Sequence, residues 1–195
     1  VALLEKHLAR EQSYHVDVLS ADGENVRSAS GNLIAPDGAI ASAARYDVLV
    51  IPAIEGARLS AGFEPDQRLV AWLIAQKSAG ARLLSFTTGA SFVAATGRYD
   101  HVLMATHWAF IRQLKKRYPT CQFVAHPSCL QADGIWTTGS LTGGFDALLE
   151  ILAQDMGDAF AQLCATHLLV SAPARINPIL PGHRNHCDEA ILKVQ

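Results

Sequence analysis

Two short apolar runs decide most of what this chain can become. Tyr46-Asp-Val-Leu-Val-Ile51 ends at Pro52, and Ala81-Arg-Leu-Leu-Ser-Phe86 runs directly into Thr87. Both are short and nearly continuous in Val, Ile and Leu, the pattern of a central parallel strand covered on both faces. Parallel neighbours cannot be joined by a tight turn and need a crossover, usually a helix. The intervening residues supply one: Pro65-Asp66 opens it, Leu69, Trp72, Leu73 and Gln76 recur at helical spacing, and Gly80 closes it, with Pro at the first turn and Gly at the end. The expected class is therefore α/β, a three-layer sandwich with a mainly parallel, flavodoxin-like sheet and ligand sites beyond the carboxyl ends of the strands.

The remaining segments fit that rhythm. Val1, Leu4 and Leu8 share one face of a helix over residues 1–11, and Tyr14–Ser20 alternates as a strand before an Asp22-Gly23 turn and a polar stretch around Arg27. A small-residue helix to Gly97 follows Phe86, then a helix from about Thr106 to Tyr118, strands at Gln122–Ala125 and Ile135–Thr138, and a turn at Asp133-Gly134. A long helix over about 143–170, with a break near Gly157, closes the domain. Pro173, Pro178 and Pro181 then mark 171–185 as a linker, and 186–195 reads as the first turns of another amphipathic helix. The expected organisation is one domain over 1–170, a linker, and the start of a second domain. Neither an initiator Met nor a strand precedes the first helix, so an N-terminal piece of the native protein is expected to be missing here.

Composition narrows the function classes. The 195 residues, 50% apolar and 17% charged, can bury a full core and exclude a disordered polymer. A net charge of −2 argues against phosphate-neutralising DNA binding by these residues alone. The basic run Lys115-Lys116-Arg117 ends an expected helix, where cations oppose the macrodipole and face solvent. Cys121, Cys129, Cys164 and Cys187 form no C-x-x-C pair, and His183, His186, Cys187 and Asp188 match no zinc spacing; reduced thiols, no metal and a cytoplasmic location are expected. No apolar run approaches the roughly 20 residues of a membrane span, and no signal peptide opens the chain. Gly139, Gly143 and Gly144 do not form the dinucleotide fingerprint, so no cofactor is expected; they read as glycines for tight turns and close helix packing.

The junction Ser85-Phe-Thr87-Thr-Gly89 is where chemistry would sit, because a strand running sharply into a helix raises one side chain above the helix amides. Thr87 could act as a nucleophile only beside a base. His107 is the candidate base, and Asp146 the candidate to orient it; the structural alternatives are Thr87 or Thr88 as a helix N-cap, His107 as a hydrogen-bonded group at a helix start, and Asp146 complementing a helix dipole. A bound ligand is expected near Ile54, Thr87, Thr88, His107, Thr138, Ser140 and Thr142, where strand ends and helix starts converge. An elbow residue often takes positive φ, which suits threonine badly, so Thr87 should either relax or persist in strain.

Taken in order, several blocks carry a family likeness: Tyr46–Pro52, Trp72-Leu73 with Gln76 to Ala81, Thr88-Gly89-Ala90, Gly97 with Asp100, Thr106-His107-Trp108, then Thr137, Thr142, Gly144 and Asp146, and finally His186, Asp188 and Ala190-Ile191-Leu192. They resemble the DJ-1/PfpI-like domain, of the class I glutamine amidotransferase type, that precedes the helix-turn-helix region in one branch of AraC-family transcriptional regulators. The resemblance implies a non-catalytic sensing and dimerisation domain: a homodimer, a small-molecule effector, and DNA contacted only through a C-terminal domain that 186–195 would begin. In the enzymatic relatives the elbow residue is cysteine, whose thiolate carries the reaction; here it is Thr87, and Ala53-Ile54 replace the glycine pair usual after the strand's proline. The family's partner carboxylate would belong to the missing N-terminal segment. The rival reading is a hydrolase, isonitrile hydratase or glyoxalase-like enzyme of the same superfamily with an atypical threonine.

Overall fold

The computed structural model describes residues 14–42 and 44–171. The expected helix over 1–11, the linker beyond Ser171, the helix from 186 and the His183–Asp188 cluster lie outside the described residues. The chain divides into two compact units between Leu148 and Leu149.

The first unit opens with β1 (Leu19–Ser20), β2 (Val26–Arg27), β3 (Leu33–Ile34) and β4 (Gly38–Ala39). β1 pairs in parallel with β4, and β2 pairs antiparallel with β3. Then come β5 (Val48–Ile51), α1 (Gly56–Ser60), α2 (Gln67–Ser78), β6 (Arg82–Phe86), α3 (Ala90–Ala95), β7 (Leu103–Ala105), α4 (Ile111–Arg117), β8 (Gln122–Val124), β9 (Cys129–Ala132), β10 (Ile135–Thr138) and α5 (Leu141–Met156). β5, β6 and β10 lie side by side in parallel, β9 returns antiparallel on β10, and β7 pairs in parallel with β8.

Register explains the core. Leu49, Leu83 and Ile135 are cross-strand partners, as are Val50, Leu84 and Trp136 one residue later. Because strand side chains alternate, the first row faces one side of the sheet and the second the other. The first row packs into a cluster with Leu59 of α1, Leu73 of α2, Ala90 and Val93 of α3 and Leu114 of α4. Leu83 is 1% exposed, and each such side chain contributes about 1.5–3 kcal/mol by leaving water. On the opposite face Leu84 and Trp136 are buried, while Val50 remains 53% exposed.

The second unit takes in the end of α5 and a further helix, α6 (Asp158–Leu168). Gly157 separates them at φ 89, a conformation only glycine adopts freely, so the expected break falls there. Phe160, Ala161, Cys164 and Ala165 recur one helical turn apart and are buried. Leu169 ends α6 in the left-handed region at φ 55.

Several expectations need correction. Tyr46–Ile51 is the edge of its ladder among the described residues, with Val50 uncovered, not a strand covered on both faces. Only Leu19–Ser20 of the Tyr14–Ser20 stretch pairs as a strand. Pro65 lies outside α2: Asp66 is the N-cap, accepting the Arg68 N–H at 2.8 Å. The helix expected from Thr106 starts at Ile111, because Leu103–Ala105 is spent on β7 and Trp108–Phe110 form a 3-10 turn. Of the basic run, Lys115 and Lys116 are exposed, but Arg117 pairs with Glu64 at 2.8 Å and donates to the Tyr118 hydroxyl at 3.2 Å.

Candidate functional site at the β6 elbow

The site is built on the residue that follows β6. Phe86 is extended at φ −86, Thr87 turns to φ 45, and Thr87–Gly89 form a 3-10 turn that feeds α3. For a β-branched residue this left-handed backbone is a true outlier costing about 1–3 kcal/mol. Of the two outcomes open to Thr87, strain has persisted.

Four buried threonines hold it there. The Thr106 hydroxyl donates to the Thr87 carbonyl at 2.9 Å, and the Thr87 N–H donates to Thr138 Oγ1 at 3.4 Å. Thr137 Oγ1 accepts the Ala105 N–H at 2.8 Å and so ties β10 to the end of β7. Thr88 Oγ1 both donates to the Ile54 carbonyl and accepts from the Ile54 N–H, each at 2.8 Å, fixing the loop after β5. These hydroxyls satisfy backbone groups that the elbow takes out of the sheet ladder and that would otherwise be buried unpaired.

Close packing completes the brace. A Cβ on Gly89 would lie 2.6 Å from the Pro52 carbonyl oxygen and 3.0 Å from that of Ile51. A Cβ on Gly144 would overlap the Phe86 ring, one on Gly143 would overlap the Ser128 carbonyl, and one on Gly139 would crowd the carbonyls of Thr106 and Ala125. All four glycines therefore serve close approach.

The seven expected ligand residues fall into two groups. Ile54, Thr87, Thr88 and Thr138 come together at the carboxyl ends of β5, β6 and β10, with His107 joined to them through Thr106. Thr88 and Thr138 are 3% and 0% exposed, and their hydroxyls are spent on the backbone. Ser140 caps α5 by accepting the Gly143 N–H at 3.0 Å, and its hydroxyl lies 3.0 Å from that of Thr142. Neither Thr87 nor Thr88 caps a helix, contrary to the N-cap expectation: neither the 3-10 turn nor α3 has a side-chain cap.

His107 takes its structural alternative. Its Nδ1 accepts the Ala109 N–H at 3.3 Å, capping the 3-10 turn, and its ring stacks on Trp108 with centroids 5.6 Å apart. An imidazole whose Nδ1 is an acceptor presents Nε2–H, a donor and not a base, to anything beyond it. Among the described residues no hydrogen bond reaches the Thr87 hydroxyl. Thr106 and Thr137 stood in the family blocks of the sequence but not among the expected ligand residues; the available signal for the brace was a threonine at or just beyond the carboxyl ends of β6, β7 and β10. No group of three or more His, Cys, Asp or Glu side chains converges to hold a metal among the described residues. Among them, too, no helix is long and apolar enough to cross a membrane.

This elbow on a parallel α/β sheet is the arrangement of the DJ-1/PfpI family, whose sequence profile matches residues 3–154; the chain belongs to that family. An HTH-type transcriptional regulator of Pseudomonas aeruginosa, CdhR, is 30% identical over 154 residues, 76% of this chain and 43% of that protein. The chain thus spans less than half the length of this relative. The crystal structure of an AraC family transcriptional regulator from Pseudomonas putida superposes with a TM-score of 0.64 at 22% identity, covering 85% of this chain and 87% of that one. Drosophila melanogaster DJ-1beta gives 0.64 at 20%, covering 76% and 78%. At those identities the two structures establish the fold alone.

Proposed function

We propose that this chain is the sensing and dimerisation domain of an AraC-type transcriptional regulator, working in the cytoplasm, with an elbow that no longer performs chemistry. The observation that carries the reading is the alcohol of Thr87 at the strained elbow position, with no base bonded to it. A threonine hydroxyl is a poor nucleophile without an adjacent base, and the His107 imidazole spends its Nδ1 lone pair on the Ala109 N–H. The likeness to a named transcriptional regulator at 30% identity supports the regulatory half of the proposal. In this reading a small-molecule effector meets the Thr87 hydroxyl, His107 Nε2–H and the Ser140–Thr142 rim, since the Thr88 and Thr138 hydroxyls are already engaged. DNA is contacted by a helix-turn-helix domain C-terminal to this one, as a homodimer.

The experiment is an assay of the purified chain and its Thr87→Ala variant against esters, peptides, isonitriles and α-oxoaldehydes. The expected result is no turnover by either. Turnover by the parent that disappears in the variant would establish the superfamily enzyme in place of the sensor.

A further inference from the structure

The elbow occupies one end of the sheet; the opposite end carries a concavity. The groove has a volume of about 470 Å³ and is lined by Lys77, Ser78, Arg98, Tyr99 and Asp133. Lys77 and Ser78 end α2 just before β6 begins, and Asp133 sits in the turn that leads into β10, whose Ile135 pairs with Leu83. The groove therefore lies at the amino ends of β6 and β10, removed from Thr87 by the length of β6.

Its polar side chains line one groove, and two of them are bonded to each other. Arg98 Nη1 reaches Ser78 Oγ at 3.4 Å, which aligns the guanidinium along the groove. Lys77 Nζ stands 3.1 Å from where a Cβ on Gly134 would be, so the glycine of the hairpin turn leaves room for the ammonium. Neither cation has an ion-pair partner among the described residues. Tyr99 is 6% exposed and packs in the core, yet no described residue hydrogen-bonds its hydroxyl. The hydroxyl itself is not sealed from solvent: it opens into the groove that the residue lines and has a proton to donate there. Burial, and then the nearby Asp133 carboxylate, push its pKa upward, so at neutral pH it is a donor. Two cations, a serine hydroxyl and a phenol O–H against one carboxylate give an excess of positive charge and of donors.

We infer that this groove is an oxyanion-binding site, distinct from the elbow, for the phosphate or carboxylate group of a small metabolite. Lys77 and Arg98 supply the charge, Tyr99 and Ser78 direct neutral donors at the anion's oxygens, and Asp133 limits the net charge accepted. The site is independent of whether the elbow binds an effector.

The test follows the backbone amides of Ser78, Arg98 and Gly134 by NMR while inorganic phosphate or, separately, succinate is added at constant ionic strength made up with chloride. Saturable shifts confined to these amides are expected with at least one of the two, and which one saturates identifies the anion. Removing one charged donor costs such a contact about tenfold in affinity, so Arg98→Gln and Lys77→Gln should each weaken binding by about that factor. Tyr99→Phe keeps the core filled and should also weaken it, whereas Lys116→Gln, an exposed charge elsewhere, should not. No saturation with either anion up to about 20 mM, or affinity unchanged in the Lys77→Gln/Arg98→Gln double variant, would overturn the assignment.

Discussion

Gly89→Ala is expected to lower the stability of the protein by about 3 kcal/mol. The added Cβ would meet the Pro52 oxygen at 2.6 Å and the Ile51 oxygen at 3.0 Å, both backbone atoms at the end of β5. Backbone yields less readily than the tip of a side chain, so the clash can be relieved only by moving the elbow away from β5. That movement would pull Thr88 from Ile54 and leave two backbone groups without their 2.8 Å partner. Urea denaturation of parent and variant measures the difference. A loss below about 1 kcal/mol would mean that the elbow is not pinned to β5 as described.

Thr87→Gly is expected to act in the opposite direction, stabilising by about 1 kcal/mol, which for a chain of this size raises Tm by about 2–4 °C. Glycine adopts φ 45 without the roughly 1–3 kcal/mol that a β-branched residue incurs there, and gives back about 0.5–1 kcal/mol through the greater freedom of the unfolded chain. The braces on either side are unaffected, because Thr106 and Thr138 bond the backbone of residue 87 and not its side chain. A Tm at or below that of the parent would show that the threonine is not strained at that position. Strain of this kind lasts only where the surroundings over-determine it, and the ring of threonine hydroxyls is what does so here.

How much of this was legible in the sequence depends on the range of the interaction. The β5–α2–β6 crossover was readable because apolar runs, a proline-aspartate opening and a terminal glycine are local signals. Thr87 was readable as the focus because strand and helix patterns meet there. β7 was missed because Leu103–Ala105 is three residues long and is held partly by a hydroxyl from Thr137, thirty-two positions on. β9 was missed because Cys129–Ala132 has little strand character of its own and is set by pairing with β10. Sequence put Thr88 and Thr138 at the strand ends, whereas only geometry shows their hydroxyls consumed by Ile54 and by the Ser85 and Thr87 backbone. The oxyanion groove had no sequence signal, since Lys77, Arg98, Tyr99 and Asp133 come from three separate connections.

The proposed service of this DJ-1/PfpI domain in transcription is put to the test by selecting DNA from a random pool with the protein expressed from its complete natural gene, beside the 195-residue chain alone. The predicted result is enrichment, by the complete protein only, of a two-fold related sequence whose half-sites are spaced by about 34 Å or a multiple of it, one helical turn of DNA for each step, as a symmetric dimer requires. Failure of the complete protein to enrich any sequence, or equal enrichment by the 195-residue chain, would contradict it.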